Sequence, residues 1–300
     1  MNTETQIVNN MSSRLTLDAI CYRNYIPSEL VAIIGKYFHE ELDNETIKTA
    51  VKMWCSEELR EKCLLRFGHM SCWDTYKVTN MSCLFKSKHD FNDDISNWDT
   101  SNVTNMYCMF SGTPYFNQPL EKWDVSNVTT MCCMFYGAVR FNQPLEKWDV
   151  SNVTNMCCMF YGTYRFNQPL EKWNVINVTK MYCMFSSAIN FNQPLEKWDV
   201  SKVTSMRFMF HGAKLFNQPL EKWNISSVTD MSCMFYIASS FNQPLEKWNV
   251  SNVTDMRSMF SSALNFNQPL ERWNESNAAN MVDMFTNSGI INPPTWFSDN

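Results

Sequence analysis

The chain has 300 residues and a formal net charge of −5, and 45% of its residues are hydrophobic and 14% aromatic. This weak negative charge provides no broad basic field, so the composition disfavours nucleic-acid binding. No segment reaches the roughly 20 consecutive apolar residues that a membrane-spanning helix needs, so no membrane association is expected.

Residues 1–20 lack a basic start followed by an apolar stretch, and therefore lack the pattern of a secretory signal peptide. We therefore expect an intracellular, cytoplasmic protein. The asparagines of N-x-S/T triplets, such as Asn127, are then interpreted as turn residues of a repeat rather than as glycosylation sites.

Residues 1–65 lack the repeat and are expected to form a helical cap that shields the apolar edge of the first repeat. Within Tyr25–Phe38, a proline precedes apolar residues at helical spacing, which predicts a helix. A second helix is expected over Asn44–Lys62. Its apolar side carries Ile47, Val51 and Trp54.

Residues 26–38, I-P-S-E-L-V-A-I-I-G-K-Y-F, also resemble the first helix of an F-box. An F-box binds the Skp1-like adaptor of ubiquitin ligases. The resemblance implies an adaptor-binding surface at Pro27, Leu30, Ile33 and Ile34. A structural cap and an adaptor-binding helix are both open alternatives for this segment.

A 25-residue repeat fills most of the chain. Tryptophan recurs every 25 residues from Trp73 to Trp273, without insertion or deletion. The consensus is F-N-Q-P-L-E-K-W-D-V-S-N-V-T-x-M-x-C-M-F-x-G-A-x-x, as in residues 116–140. A fixed period of about 20 to 50 residues is typical of a solenoid, in which each repeat forms one coil stacked on the preceding coil. We expect about nine coils over residues 66–290 and a C-terminal cap over 291–300, with Trp296 and Phe297 folded over the last core layer.

Within one repeat, the apolar pattern predicts a short strand followed by a helical turn. Trp123 and Val125 alternate with polar residues, as in a strand with one buried face. Met131, Met134 and Phe135 have the spacing of one face of a helical turn. Together they predict an α/β repeat.

Two further columns of equivalent positions concern the turns. Gly137 stands where a helix end often has a left-handed backbone. Because Ser187, Ile237 and Ser262 replace it in other copies, the turn does not strictly require glycine. An asparagine that follows the phenylalanine of every copy from Phe91 onwards, such as Asn142, is expected to hydrogen-bond turn backbone from coil to coil.

Half of the twelve cysteines share one repeat position, at Cys83, Cys108, Cys133, Cys158, Cys183 and Cys233. Phe208 and Ser258 also occupy it, which fits a packing position better than an obligatory disulfide. Adjacent coils would lie about 5 Å apart, near the Cα separation that a disulfide tolerates. However, we expect parallel side chains, and therefore buried free thiols. The pairs Cys132-Cys133 and Cys157-Cys158 lack the C-x-x-C spacing of zinc sites, so no metal is expected.

Two sets of exposed positions are candidates for binding. A Glu-Lys pair recurs every 25 residues from residues 121–122 to 246–247 and ends as Glu-Arg at 271–272; it includes Glu146, Lys147, Glu171 and Lys172. It forms either a self-neutralising face or a surface that docks a partner. Diversity is concentrated just before each Phe, with Tyr115, Arg140, Tyr164, Arg165 and Lys214 among the variable residues. These are either tolerant loops or positions that distinguish one ligand from another.

The motif W-D-V-S-N-V-T-x-M-x-x-M-F, preceded by F-N-Q-P-L, closely resembles the BspA-type leucine-rich repeat. The matching branch occurs in mycoplasma surface lipoproteins and is a domain of unknown function. The resemblance implies a right-handed α/β solenoid with a parallel sheet along one side and no catalytic residues. Similar arrays occur in intracellular proteins of protists and of large DNA viruses of amoebae, and the missing lipoprotein signal favours an intracellular or viral member of this kind, which could lie in a host cytoplasm.

An enzyme is disfavoured, because the four histidines form no paired motif and neither a phosphate loop nor a nucleophile elbow is visible. No cofactor is expected. The sequence predicts a non-catalytic protein–protein interaction scaffold with a protein partner of unknown identity. The alternative is an F-box-like substrate receptor of a ubiquitin ligase.

Overall fold

The computed structural model describes residues 39–275 and 280–298, and all structural statements below refer to these residues. Two helices precede the repeats, α1 (Thr46–Trp54) and α2 (Glu57–Phe67). The prediction of a single helix over 44–62 is wrong, because Ser56 has an extended backbone that separates two helices. Glu57 and Glu58 then favour a new helix start, since carboxylates stabilise the first turn.

The predicted helix Tyr25–Phe38 lies outside the described residues. The same applies to all four residues of the F-box resemblance, Pro27, Leu30, Ile33 and Ile34.

The coils that follow α2 consist mainly of turns. Short 3-10 helices at Met70–Cys72 and Glu271–Glu275 are the only helices in the described repeats. Successive coils are joined by isolated parallel bridges with a spacing of 25 residues, such as Thr130 with Asn155. The repeat period is therefore confirmed, whereas the described coils contain little regular secondary structure.

The strand predicted around Trp123 and Val125 is wrong. Trp123 donates its backbone N–H to Leu120 at 3.1 Å, and Val128 donates to Val125 at 2.9 Å, so a turn lies on each side of the segment. The carboxylate of Asp124 accepts a hydrogen bond from the Ser126 N–H at 3.0 Å. Local turns of this kind compete with a strand for the same backbone groups.

The parallel hydrogen-bond ladder lies in the segment where a helical turn was predicted. Every second N–H, from Met131 to Gly137, donates to a carbonyl of the following coil at 2.7–3.0 Å. The intervening N–H of Tyr136 donates within its own coil, to Cys133 at 3.1 Å. The predicted helical turn is wrong, because half of its N–H groups bond to another coil.

Two residues per coil have a left-handed backbone in this segment. In the reference coil they are Cys133 (φ 56°) and Gly137 (φ 68°). Where serine or isoleucine replaces the glycine, the backbone stays left-handed, with φ 57° at Ser187 and φ 60° at Ile237. The turn accepts other residues, as expected, but their side chains make this conformation strained.

The interior consists of columns of equivalent apolar side chains. From Trp98 to Trp273, each repeat tryptophan donates its indole N–H to a carbonyl of the preceding coil, as Trp173 does to Leu145 at 2.9 Å. Phenylalanine rings stack along the array, with 5.7 Å between Phe135 and Phe160. The tryptophans from Trp73 to Trp273 are at most 4% exposed, so the coils share one continuous core.

The expected asparagine column is confirmed. The side-chain oxygen of Asn117 accepts a hydrogen bond from the Asn142 backbone N–H at 2.9 Å, and Gln143 donates its amide to the Asn117 carbonyl at 3.0 Å. The asparagine contact recurs in each later coil through Asn267.

Each end of the described array is covered by residues outside the repeat pattern. At the first coil, Trp54 of α1 packs edge-on against Trp73, with 6.1 Å between ring centroids. At the last coil, Trp296 donates its indole N–H to Leu270 at 2.9 Å, and Phe297 lies edge-on against Phe285 at 4.9 Å. The prediction that Trp296 and Phe297 cover the last core layer is confirmed.

Candidate interaction surface

The recurring Glu-Lys pairs form one exposed edge of the array, here called the Glu–Lys edge. From Lys147 to Lys247, each lysine pairs with the glutamate of the preceding coil, as Lys147 does with Glu121 at 2.6 Å and Lys172 with Glu146 at 3.1 Å. Lys122 has no glutamate in the preceding coil, because Ser96 holds that position. Glu171 pairs in turn with Lys197 at 3.2 Å. The expectation that opposite charges interleave is confirmed. Exposed pairs of this type neutralise each other and contribute little to stability.

An open depression of about 480 Å³ lies at one end of this edge, lined by Glu246, Lys247 and Arg272 among others. Its charges already belong to the edge, because Arg272 lies 3.9 Å from Glu246 and Lys247 pairs with Glu221 at 3.3 Å. Among the described residues that line the depression, no unpaired charged side chain indicates a ligand.

The variable residues before each Phe form a second exposed surface, called the corner, which comprises residues 114–115, 139–140, 164–165, 189–190 and 214–215. Its backbone is held between coils, since Arg140 donates its N–H to Pro114 at 3.1 Å. The Arg140 guanidinium carbon lies 4.5 Å from the centre of the Tyr115 ring, which places a cation over an aromatic face. Tyr164 and Lys214 are exposed as well.

The basic charges of the corner differ from those of the Glu–Lys edge. Arg140, Arg165 and Lys214 are exposed, and none of them forms an ion pair with a described residue. The structure thus brings Tyr115 and Arg140 into contact. The corner differs from the Glu–Lys edge because its cations are not paired with carboxylates of the described residues.

A third surface was not among the candidate residues from the sequence. It consists of side chains at the positions of 132, 133 and 136 in each coil, on the hydrogen-bond ladder, and is called the ladder face. Tyr107, Tyr136 and Tyr182 are 38–42% exposed on it. Tyr136 stacks on Tyr161 of the next coil at 4.5 Å.

His211 occupies the same column as Tyr136 and stacks on Tyr236 at 5.2 Å. It also contacts the Ser186 hydroxyl at 3.1 Å, and burial lowers the pKa of its imidazole. The imidazole is therefore part of the packing of this face rather than an isolated surface histidine.

The ladder face and the corner are adjacent. A methyl group added at Gly162, in the ladder segment, would lie 3.9 Å from the ring of Tyr164, in the corner. The only signal in the sequence was variability after Met131 and after Phe135. That signal did not show that the side chains stack.

The cysteines at the shared repeat position, from Cys83 to Cys233, are free thiols, as predicted, but not all are buried. Cys83 is exposed, and Cys133, Cys158 and Cys183 are half-buried. The prediction of uniform burial is wrong because this column belongs to the ladder face. No group of three His, Cys, Asp or Glu side chains in the described ranges has an arrangement that could hold a metal ion.

The prediction that cysteine side chains of adjacent coils point in parallel is not general. In the neighbouring column, the sulfurs of Cys132 and Cys157 lie 2.7 Å apart. They therefore point towards each other across two coils.

Stacked 25-residue coils with two helices at one end define a repeat protein. No helix in the described part of the chain is long and apolar enough to cross a membrane. A family model described as Mycoplasma protein of unknown function, DUF285, matches residues 57–156, 142–236 and 216–296, and the chain belongs to this family. No curated protein matches the sequence.

Proposed function

We propose that this protein is a non-catalytic protein–protein interaction scaffold that binds its partner with the corner and the adjacent ladder face. The observation that carries this proposal is the state of the surface charges. The lysines of the Glu–Lys edge from Lys147 to Lys247 are paired with glutamates, whereas Arg140 and Arg165 of the corner have no acidic partner among the described residues.

The side chains of this surface are of the type that dominates protein interfaces. Tyr115, Arg140 and Tyr164 are exposed, and tyrosine and arginine are enriched among the residues that contribute most to binding. Unpaired arginines favour a partner with an acidic surface, because charge complementarity accelerates encounter and selects partners.

The other parts of the proposal rest on the sequence. We propose a right-handed solenoid of the BspA-type leucine-rich-repeat kind, working inside a cell as an intracellular or viral protein, without cofactor, nucleic acid or membrane. Support for a non-catalytic role comes from the repeat itself, which presents like groups in columns instead of unlike groups converging on one pocket.

The test is site-specific photo-crosslinking with the full chain. A photoreactive phenylalanine at Tyr164 should form a saturable cross-link to a protein, and unlabelled chain should compete for it. The same group at Lys172, on the Glu–Lys edge, is the matched control and should not form that cross-link.

Once the cross-linked protein is purified, the affinities of variant chains for it test whether the corner is the binding surface. Arg140→Ala and Tyr164→Ala should each weaken binding roughly tenfold or more, as expected for dominant interface residues, while Lys172→Ala should change the affinity less than about twofold. Equal affinities for all variants would reject the corner as the binding surface.

The alternative function, an F-box-like substrate receptor that binds a Skp1-like adaptor, depends on Leu30, Ile33 and Ile34. Because these residues lie outside the described ranges, no contact favours it. Binding of a purified adaptor to the full chain, abolished when all three residues are changed to Ser, would support it. If the adaptor does not bind the unaltered chain, the receptor function is rejected and the scaffold function is the one that stands.

A further inference from the structure

Two neighbouring columns of the ladder face bring four thiols together. Cys132 and Cys133 belong to one coil, and Cys157 and Cys158 to the next. The sulfurs of Cys132 and Cys157 are 2.7 Å apart, much closer than the 3.6 Å between those of the sequence neighbours Cys132 and Cys133. The shortest contact thus crosses from one coil to the next.

The backbone holds this contact in register. Cys133 donates its N–H to the Cys157 carbonyl at 2.9 Å, and Thr130 and Asn155 form the parallel bridge just before it. Strands paired in this way lie about 5 Å apart, within the 4.4–6.8 Å between Cα atoms that a disulfide needs. The spacing of adjacent coils is therefore compatible with a bond between these sulfurs.

The surroundings of Cys157 favour its thiolate form. Hydrogen bonds from the thiols of Cys132 and Cys158 lower the pKa of Cys157, and the Tyr182 hydroxyl and the Lys180 ammonium act in the same direction. The thiolate is the nucleophilic form of cysteine, so a depressed pKa favours attack on an oxidant.

Access is restricted. Cys157 is 2% exposed and Cys132 8%, so only a small oxidant reaches them readily.

We propose that Cys132 and Cys157 form a peroxide-sensitive pair that closes an inter-coil disulfide. The Cys157 thiolate attacks one oxygen of hydrogen peroxide, the O–O bond breaks, and the products are a Cys157 sulfenic acid and, after protonation, one water. The Cys132 thiol then attacks the sulfenic sulfur, forms the S–S bond and releases a second water. Peroxide is reduced, and the two thiols lose two electrons and two protons.

The disulfide would connect two coils directly beside the stacked pair Tyr136 and Tyr161. The proposal does not depend on the interaction function, because it concerns covalent chemistry within the chain.

Mass spectrometry of the full chain tests it. After removal of reductant and treatment with hydrogen peroxide, trypsin releases the peptides 123–140 and 148–165, which contain the four thiols. We expect these peptides to be joined, with the loss of two hydrogens, and fragmentation should place the bond between Cys132 and Cys157. Peptides that remain unlinked while their cysteines are oxidised to sulfinic acid would overturn the proposal.

Serine variants provide the controls. Serine already occupies the Cys132 position at Ser82 and Ser232, and the Cys133 position at Ser258, so the fold accepts it. Cys132→Ser and Cys157→Ser should each abolish the link, whereas the double variant Cys133→Ser/Cys158→Ser should retain it. Peroxide should also raise the melting temperature of the unaltered chain and not that of Cys132→Ser. A link that survives in Cys132→Ser and is lost in the double variant would assign the chemistry to the other column and contradict the proposal.

Discussion

The interior of the coils and the ladder face are built on the same repeating backbone, but they differ in how variable their side chains are from coil to coil. The position of Trp123 holds tryptophan in all nine copies from Trp73 to Trp273, and each of these residues is at most 4% exposed. The position of Cys132, nine residues later, holds serine, tyrosine, cysteine, arginine or valine.

This difference shows that the fold of each coil restricts the interior side chains much more than the side chains of the ladder face. Interior residues must match both shape and hydrogen bonding, because each indole N–H from Trp98 to Trp273 has a carbonyl of the preceding coil as its acceptor. On the ladder face, the backbone makes the inter-coil hydrogen bonds whatever the side chain is, as Cys133 and Phe208 both illustrate. The outer side chains are therefore available for other roles.

The largest expected effect comes from an interior substitution. Trp173→Ala removes a ring that stacks between Trp148 and Trp198, at 6.5 and 6.4 Å, and leaves the Leu145 carbonyl without its donor. We expect the free energy of unfolding to fall by about 3–5 kcal/mol, measured by urea denaturation. Tyr161→Ala, on the ladder face, should cost less than about 1 kcal/mol. Similar losses for both variants would contradict the distinction between the two regions.

A smaller loss is expected from the asparagine column, which lies between these extremes. The side chain of Asn192 accepts hydrogen bonds from the Asn217 N–H at 2.9 Å and from the Gln218 amide at 3.0 Å. Asn192→Ala should lower the free energy of unfolding by about 1–2 kcal/mol, because a partly buried N–H loses its acceptor. Asn192→Asp keeps an acceptor oxygen and should lose clearly less at neutral pH. An aspartate variant as unstable as the alanine variant would show that this hydrogen bond is not the reason for the column.

The sequence was sufficient for those features that depend only on the period. Identical residues spaced by 25 must lie side by side once the coils stack, so the asparagine contacts and the Glu–Lys pairs were both predictable. Trp296 was predictable too, because the last core layer needs a cover. Each of these expectations concerns which residues are neighbours rather than the path of the backbone within a coil.

The path within a coil was not predictable from the apolar pattern. The spacing of Met131, Met134 and Phe135 fits a helical turn, but it also fits a segment whose N–H groups bond alternately within the coil and to the next one. Glycine at 137 indicated a left-handed residue, whereas Cys133 adopts the same conformation without any such signal. For this reason the ladder face, and with it the contact between Cys132 and Cys157, escaped the sequence analysis.

A change on the ladder segment should sharpen the comparison by increasing stability. Ile237 has φ 60°, a strained value for a β-branched residue, whereas Gly137 stands at the same position with φ 68°. Ile237→Gly should raise the free energy of unfolding by about 1 kcal/mol, because the clash of Cβ with the backbone disappears. Gly137→Ala should lower it by a similar amount, although the added methyl has no atom closer than 3.9 Å.

Ile237→Ala separates strain from burial. Alanine keeps the Cβ and loses most of the apolar side chain, so it should not be more stable than the isoleucine form. A gain with alanine as large as that with glycine would mean that the half-buried isoleucine side chain, and not the backbone, lowers stability.

The smallest effect is expected at the Glu–Lys edge, although the Glu-Lys pair is repeated in six successive coils. Lys172→Met removes the ion pair with Glu146, in which the lysine side chain is 74% exposed. We expect a change below about 0.5 kcal/mol, because exposed pairs are screened and their long side chains lose entropy on pairing. A double-mutant cycle with Glu146→Gln measures the pair itself, and a coupling above about 1 kcal/mol would contradict this expectation. A small coupling would show that repetition along the chain does not measure energetic importance, since the tryptophan column and the Glu–Lys edge share the same period but differ in burial.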